Sequence, residues 1–289
     1  MDENVVISRA RKLLKDAGIK TAPVDVEALA LHLGFKVSRM ELPEGEAGST
    51  FERRGQKHIW VNNKDSVVRQ RFTILHEIAH HVLELPSLHG EKVPSDELER
   101  FTGRPHEEIA CDTFAAECLV PWAMIQPLAE DKDFTLEHLS ELAEHFQASR
   151  SCVASKFAQA SEGHLAFVVA EDGIVKYSIC SKALRDARVW ITKGIPLPQN
   201  SAAAKAHQAG ISGLHEVDIE GTDWSTSDDA RRFACYEQAT YHAPTRQTQS
   251  ILNFEEMDPR SVSNSHRARH DDDDLLQELD GRPGWSKYR

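Results

Sequence analysis

Two helical periods open the chain. Apolar positions three and four apart over residues 5 to 17 and 24 to 33 predict amphipathic helices, with Gly18 and Gly34 as stops. The spacing then shortens to two. Lys36 to Met40, Gly48 to Glu52 and Lys57 to Asn62, with a turn at Arg53-Arg54-Gly55, predict strands of a small antiparallel sheet. Helical spacing returns in Phe72-Thr73-Ile74-Leu75 and Val82-Leu83, and again from Glu107 to Val120, where Pro121 stops a second helix. Leu136, Leu139, Leu142, Ala143 and Phe146, then Ser149, Val153 and Phe157, predict two helices about a turn at Gln147-Ala148, a helix-turn-helix pattern.

Beyond Gly163 the pattern is that of strands. His164 to Ala170, the turn Glu171-Asp172-Gly173 and Ile174 to Ile179 make a hairpin, and further strands are predicted near 213 to 220, 234 to 242 and 249 to 254. An Ala-, Gly- and Pro-containing segment from 194 to 212 joins them, and Trp224 and Tyr236 are expected in the core rather than around a ligand. From 259 onward apolar residues become sparse, and Asp271 to Asp274 and Arg282-Pro283-Gly284 read as a disordered tail. The expected organisation is α+β: a first domain over 1 to 121, a helical segment over 122 to 161, a small mixed α/β, β-rich domain over 162 to 258, and the tail over 259 to 289.

Composition removes several classes. A chain of 289 residues with 40% hydrophobic and 28% charged residues suits a globular protein, and no run reaches the roughly 20 apolar residues that span a bilayer. The start, Met1-Asp2-Glu3-Asn4, lacks a basic signal-peptide head, so a cytoplasmic location is expected. Five cysteines without paired spacing predict reduced thiols, and Cys111 is read chiefly as a small buried helix residue. A formal net charge of −12 argues against a general nucleic-acid binder, whose affinity comes from neutralising phosphates.

The chemistry lies in residues 76 to 80, His-Glu-Ile-Ala-His. At 3.6 residues per turn His76 and His80 stack on one face with Glu77 beside them. Two imidazoles so spaced can hold a zinc ion, and a neighbouring carboxylate can take a proton from an attacking water. That predicts a metal-dependent hydrolase, with a peptidase favoured. A catalytic zinc needs a third protein donor, and the second helix offers Glu108, Cys111 and Asp112 on one face. Glu108 is favoured as ligand and Asp112 as hydrogen-bond acceptor for the far nitrogen of a ligand histidine. His106, Glu107 and His89 are rivals, although Glu107 points about 100° away from Glu108. His81 and Glu84 read as flanking polar groups.

The run Arg69-Gln70-Arg71-Phe72-Thr73-Ile74-Leu75-His76-Glu77-Ile78-Ala79-His80-His81, followed by Glu108-xx-Cys-Asp-x-Phe-Ala-Ala and Leu119-Val120-Pro121, resembles the ImmA/IrrE metallopeptidases. The resemblance extends over residues 1 to 121, with Ala79 where Gly is common and Leu-Val-Pro where Leu-Met-Pro is frequent. It implies a zincin-like catalytic domain, zinc on His76, His80 and Glu108, and Glu77 as general base. It also implies a regulatory substrate, a helix-turn-helix repressor released by cleavage during stress or mobile-element responses, and a GAF-like sensor domain after the protease. The alternative is a DNA-binding transcription regulator with a structural or sensing metal site. Against it, Glu137, Glu141 and Glu144 crowd the first helix of the pair, and only Arg150 and Lys156 could meet phosphates on the second. Direct DNA binding is therefore not expected, nor is a membrane.

Overall fold

The computed structural model describes residues 1–86, 105–130 and 133–257. His89 and the predicted tail beyond 258 lie outside the described residues. Helix α1 (Glu3–Asp16), capped by Asp2, and α2 (Val26–His32), capped by Asp25, precede strands β1 (Phe35–Met40), β2 (Gly48–Arg53) and β3 (Gln56–Asn62). The motif helix α3 (Val67–Val82) starts at Ser66, whose hydroxyl accepts from the Arg69 N–H. Helices α4 (His106–Leu119) and α5 (Trp122–Glu130) follow. Pro121 ends the first, and its carbonyl accepts the Met124 and Ile125 N–H groups that open the second. Helix α5 falls within the segment from 122 to 161 expected to be helical, ahead of the two helices that the apolar period marks individually.

The first sheet is mixed rather than wholly antiparallel. Its order is β1-β3-β2; β2 and β3 form the expected hairpin, but β1 runs parallel to β3. The cause is the connection Glu41 to Ala47, which crosses the carboxy-terminal end of β3 instead of turning back beside β1. It is held there by the Asn62 N–H on Ala47 O, the Asn63 N–H on Met40 O and the Asn62 side-chain amide on Glu46 O. Strand β2 is consequently an edge.

Helices α6 (Leu136–Phe146) and α7 (Arg150–Ala160) appear where the period predicted them, with Gln147 in the left-handed region at the turn and Ser149 capping α7. The second sheet contains β4 (His164–Glu171), β5 (Ile174–Cys180), β6 (His215–Glu220), β7 (Phe233–His242) and β8 (Gln247–Glu256), antiparallel throughout, in the order β5-β4-β8-β7-β6. Its strand alternation separates two cores. Leu165, Phe167, Val169 and Ile251 face the core shared with α1 to α7. Ala166, Val168, Leu252 and Phe254 face the opposite way, toward α8 (Lys182–Asp186), α9 (Ala202–Ala209) and α10 (Gly221–Trp224). Within the stretch read only as a connection, Ser201 caps the alanine-rich α9 and Gly210 ends it. Trp224 is buried as expected and donates its indole N–H to Glu237, which also accepts the Ala202 and Ala203 N–H groups at the start of α9. Tyr236 is instead half-buried at the rim of a cavity of about 900 Å³ and bonds Glu216.

One buried ion pair joins the halves. Lys156 on α7 lies 2.7 Å from Glu117 on α4, both almost wholly covered, and Arg11 of α1 reaches the other carboxylate oxygen at 2.7 Å. Arg71 of α3 donates to the Gln147 carbonyl in the α6–α7 turn and to the Val24 carbonyl before α2. Removing one member of a buried pair strands the other charge, so Lys156→Ala should lose about 3–5 kcal/mol in denaturant unfolding. A joint Lys156→Met, Glu117→Leu replacement should recover most of that loss. A loss below about 1 kcal/mol in Lys156→Ala would show the pair to be solvated.

Candidate metal centre

Helix α3 is buried from Phe72 to His80, so both motif histidines project into the interior against α4. The two Nε2 atoms converge at 3.2 Å. Helix α4 answers with its first two turns. Glu108 Oε2 is 3.2 Å from His76 Nε2, and Glu108 Oε1 is 3.5 Å from His80 Nε2. Nitrogen and oxygen donors about 2.0–2.1 Å from a tetrahedral zinc stand roughly 3.3 Å apart, so these three side chains have the spacing of ligands around one ion. Asp112 Oδ1 lies 2.8 Å from His76 Nδ1, on the far side of the ring. That contact fixes the ring with Nε2 turned inward, the orientation a metal-ligating histidine needs.

The electrostatics agree with a cation site. Burial disfavours a charged His76, but the hydrogen bonds it donates to Asp112 and Glu108, then the charges of Asp112 and Glu77, outweigh it and push its pKa up to about 10. A field that holds a proton on a largely buried imidazole also favours a divalent ion between the same carboxylates. The donor set, two imidazoles and a carboxylate, suits zinc chemically.

A second grouping overlaps the first. His76, His80 and Cys111 offer ligand atoms all within 4.8 Å of one another, a cluster that can hold a metal ion. The two groupings disagree on the third donor. The Glu108 oxygens stand at ligand spacing from both nitrogens, whereas 4.8 Å only bounds the sulfur. The sequence places Cys111 one turn after Glu108 on the same helix face, where the small-buried-residue reading is favoured over a thiolate near the metal; the structure buries it and also brings its sulfur into the cluster.

Of the rivals, His89 lies outside the described residues, and the other two point away from the centre. His106 is exposed at the first turn of α4, and Glu107 faces partly outward while Glu108 is buried, as the 100° rotation between them requires. His81 is exposed and sits against Phe35 and Lys57; partial desolvation of the ring and then the Lys57 charge lower its pKa, while Glu84 lies just past the helix with positive φ.

Edge strand β2 begins beside the motif. A Cβ on Gly48 would lie 2.4 Å from the Thr73 methyl and 3.6 Å from Glu77 Cγ. Only glycine lets the strand approach this close to α3 without displacing Thr73.

Residues 30–157 match the family model described as the IrrE N-terminal-like domain, a metallopeptidase-type family. This region belongs to the ImmA/IrrE family. The metal-capable cluster and the carboxylates facing it lie within the ImmA/IrrE region, and that family is metal-dependent. Among solved structures, a Mycobacterium tuberculosis transcriptional regulator is similar with a TM-score of 0.53, covering 86% of this chain and 87% of that one at 14% identity. At that identity the likeness is one of fold. No curated protein matches. Among the described residues no helix is long and apolar enough to cross a membrane.

Metal analysis of purified protein should find about one zinc per chain, lost in His76→Ala, His80→Ala and Glu108→Ala but kept in Glu107→Ala and His106→Ala. Asp112→Ala should retain the site with affinity lowered about 10–100-fold, as loss of an orienting partner does. Full zinc retention in Glu108→Ala would move the third ligand elsewhere.

Proposed function

We propose that the chain is a cytoplasmic zinc-dependent endopeptidase, with His76, His80 and Glu108 as metal ligands, Glu77 as general base and Asp112 as the residue orienting His76. The observation that carries this reading is the convergence of both imidazole Nε2 atoms and the Glu108 carboxylate at 3.2 to 3.5 Å, with Glu77 on the same helix. Bound zinc would polarise a scissile carbonyl and acidify water.

The residues of the chain supply the rest. Glu77, buried next to His76, takes a proton from the attacking water and hands it to the leaving amine as the peptide bond breaks. Edge strand β2, which starts at Gly48 against Glu77, offers backbone groups to an extended peptide and would lay it alongside the base. The buried walls of α3 and α4 limit water around the reacting groups. All five cysteines are free of disulfides, in keeping with a reducing compartment.

The favoured substrate is a helix-turn-helix repressor, whose cleavage would release genes of a stress or mobile-element response. The competing reading, a transcription regulator acting on DNA, draws on the α6–α7 pair and on the name of the similar solved structure. Two features weigh against it. Lys156, one of the two basic residues available on α7, is engaged with Glu117 in the interior, and the chain carries a net charge of −12.

Glu77→Gln keeps the shape of the site and removes the base. It should retain zinc while cleavage falls by at least about 10²–10⁴-fold, and undiminished cleavage would exclude Glu77 from the role. In cells, a Glu77→Gln strain should leave a neighbouring-gene repressor intact and its promoter silent, while Arg150→Ala should regulate normally. The reverse pattern would install the DNA-binding reading.

A further inference from the structure

Helix α4 carries two fully buried cysteines, Cys111 and Cys118, seven residues apart. Burial alone accounts for Cys118, whose thiol pKa is pushed up chiefly by desolvation. It belongs to no donor cluster among the described residues. Cys111 differs. It lies three residues after Glu108, on the face turned to α3, and its ligand atom falls within 4.8 Å of those of His76 and His80.

Two donors of α4 therefore lie near the same pair of imidazoles, a carboxylate at 3.2 and 3.5 Å and a sulfur within 4.8 Å. The distinction has chemical weight. Zinc sites with four protein ligands are closed and structural, and sites with three keep the open position that catalysis uses. Thiolate is also a strong zinc donor, bonding at about 2.3 Å, and a cysteine rotamer change moves the sulfur by more than an ångström, so a sulfur within 4.8 Å of both imidazoles is within reach of coordination.

We propose that Cys111 is a fourth, exchangeable donor to the metal, so that the centre has a closed resting form with His76, His80, Glu108 and Cys111 and an open form from which the sulfur has withdrawn. This rests on the assignment of the metal to His76 and His80 made above. Closure breaks the S–H bond, forms one metal–sulfur bond and returns a proton and a water molecule to solvent; opening reverses each change without an oxidant. The closed form gives the peptidase a latent state that depends on no inhibitor, because the blocking group resides in the ligand helix. Whatever shifts α4 relative to α3 by a fraction of an ångström then selects between the forms.

The test uses the full chain, stripped of metal and reloaded with cobalt(II), whose bond to a thiolate gives a near-ultraviolet charge-transfer band absent from nitrogen and oxygen ligation. Wild-type protein should bind about one cobalt per chain and show the band. Cys111→Ala and Cys111→Ser should still bind cobalt, with affinity reduced at least about 10-fold, and should lose the band; Cys118→Ala should keep it. Circular dichroism of the serine variant, which conserves volume, separates ligand loss from misfolding. Uptake of one cobalt by the wild type without the band would overturn the sulfur donor and leave the metal centre standing. No uptake by the wild type would overturn both, and a band that survives in a folded Cys111→Ser chain would assign the sulfur elsewhere.

Discussion

Buried negative charge on α4 is the constraint around which the first two-thirds of the chain is arranged. Glu108, Asp112 and Glu117 are all nearly inaccessible, and an unpaired carboxylate in such surroundings is far costlier than any single apolar contact can offset. Each end of the helix solves the problem separately. Glu117 is met by Lys156 from α7 and Arg11 from α1. Glu108 and Asp112 are met by His76, which the same carboxylates make strongly basic. The geometry that satisfies the helix electrostatically is also the geometry of a cation site, so folding and metal affinity draw on the same contacts.

Much of this was legible in the sequence where period and chemistry coincide. The motif helix, its partner and the burial of Glu108 rather than Glu107 all follow from 3.6-residue geometry, and the five strands after Gly163 stand close to where alternation placed them. The misses have local causes. Strand direction in the first sheet depends on the path of residues 41 to 47, a long-range matter that alternation does not encode. Helix α9 was hidden by neighbouring glycines and prolines, although Ser201, a run of alanines and Gly210 spell a cap, a body and a stop. Lys156 looked like a surface cation because its partner is 39 residues away in sequence.

The helix-turn-helix-like pair illustrates how one local pattern can serve different ends. In a DNA reader the second helix must present an exposed basic face. Here α7 is the central packing element: Val153, Ala154, Phe157 and Ala158 are buried, its lysine points into the protein, and Arg71 fastens the preceding turn to the motif helix. The second sheet covers the same helix from the other side, through Leu165, Phe167 and Val169.

That arrangement makes α7 a strut between two working parts. Glu117 stands nine residues, or about 14 Å along the helix, from Glu108. A movement of the second sheet that carried α7 away would leave Glu117 without its inner cation, at a cost that confines such a state to roughly one molecule in a few hundred or fewer. The second sheet and the buried carboxylates of α4 are thus mechanically in series, joined through α7 and its lysine.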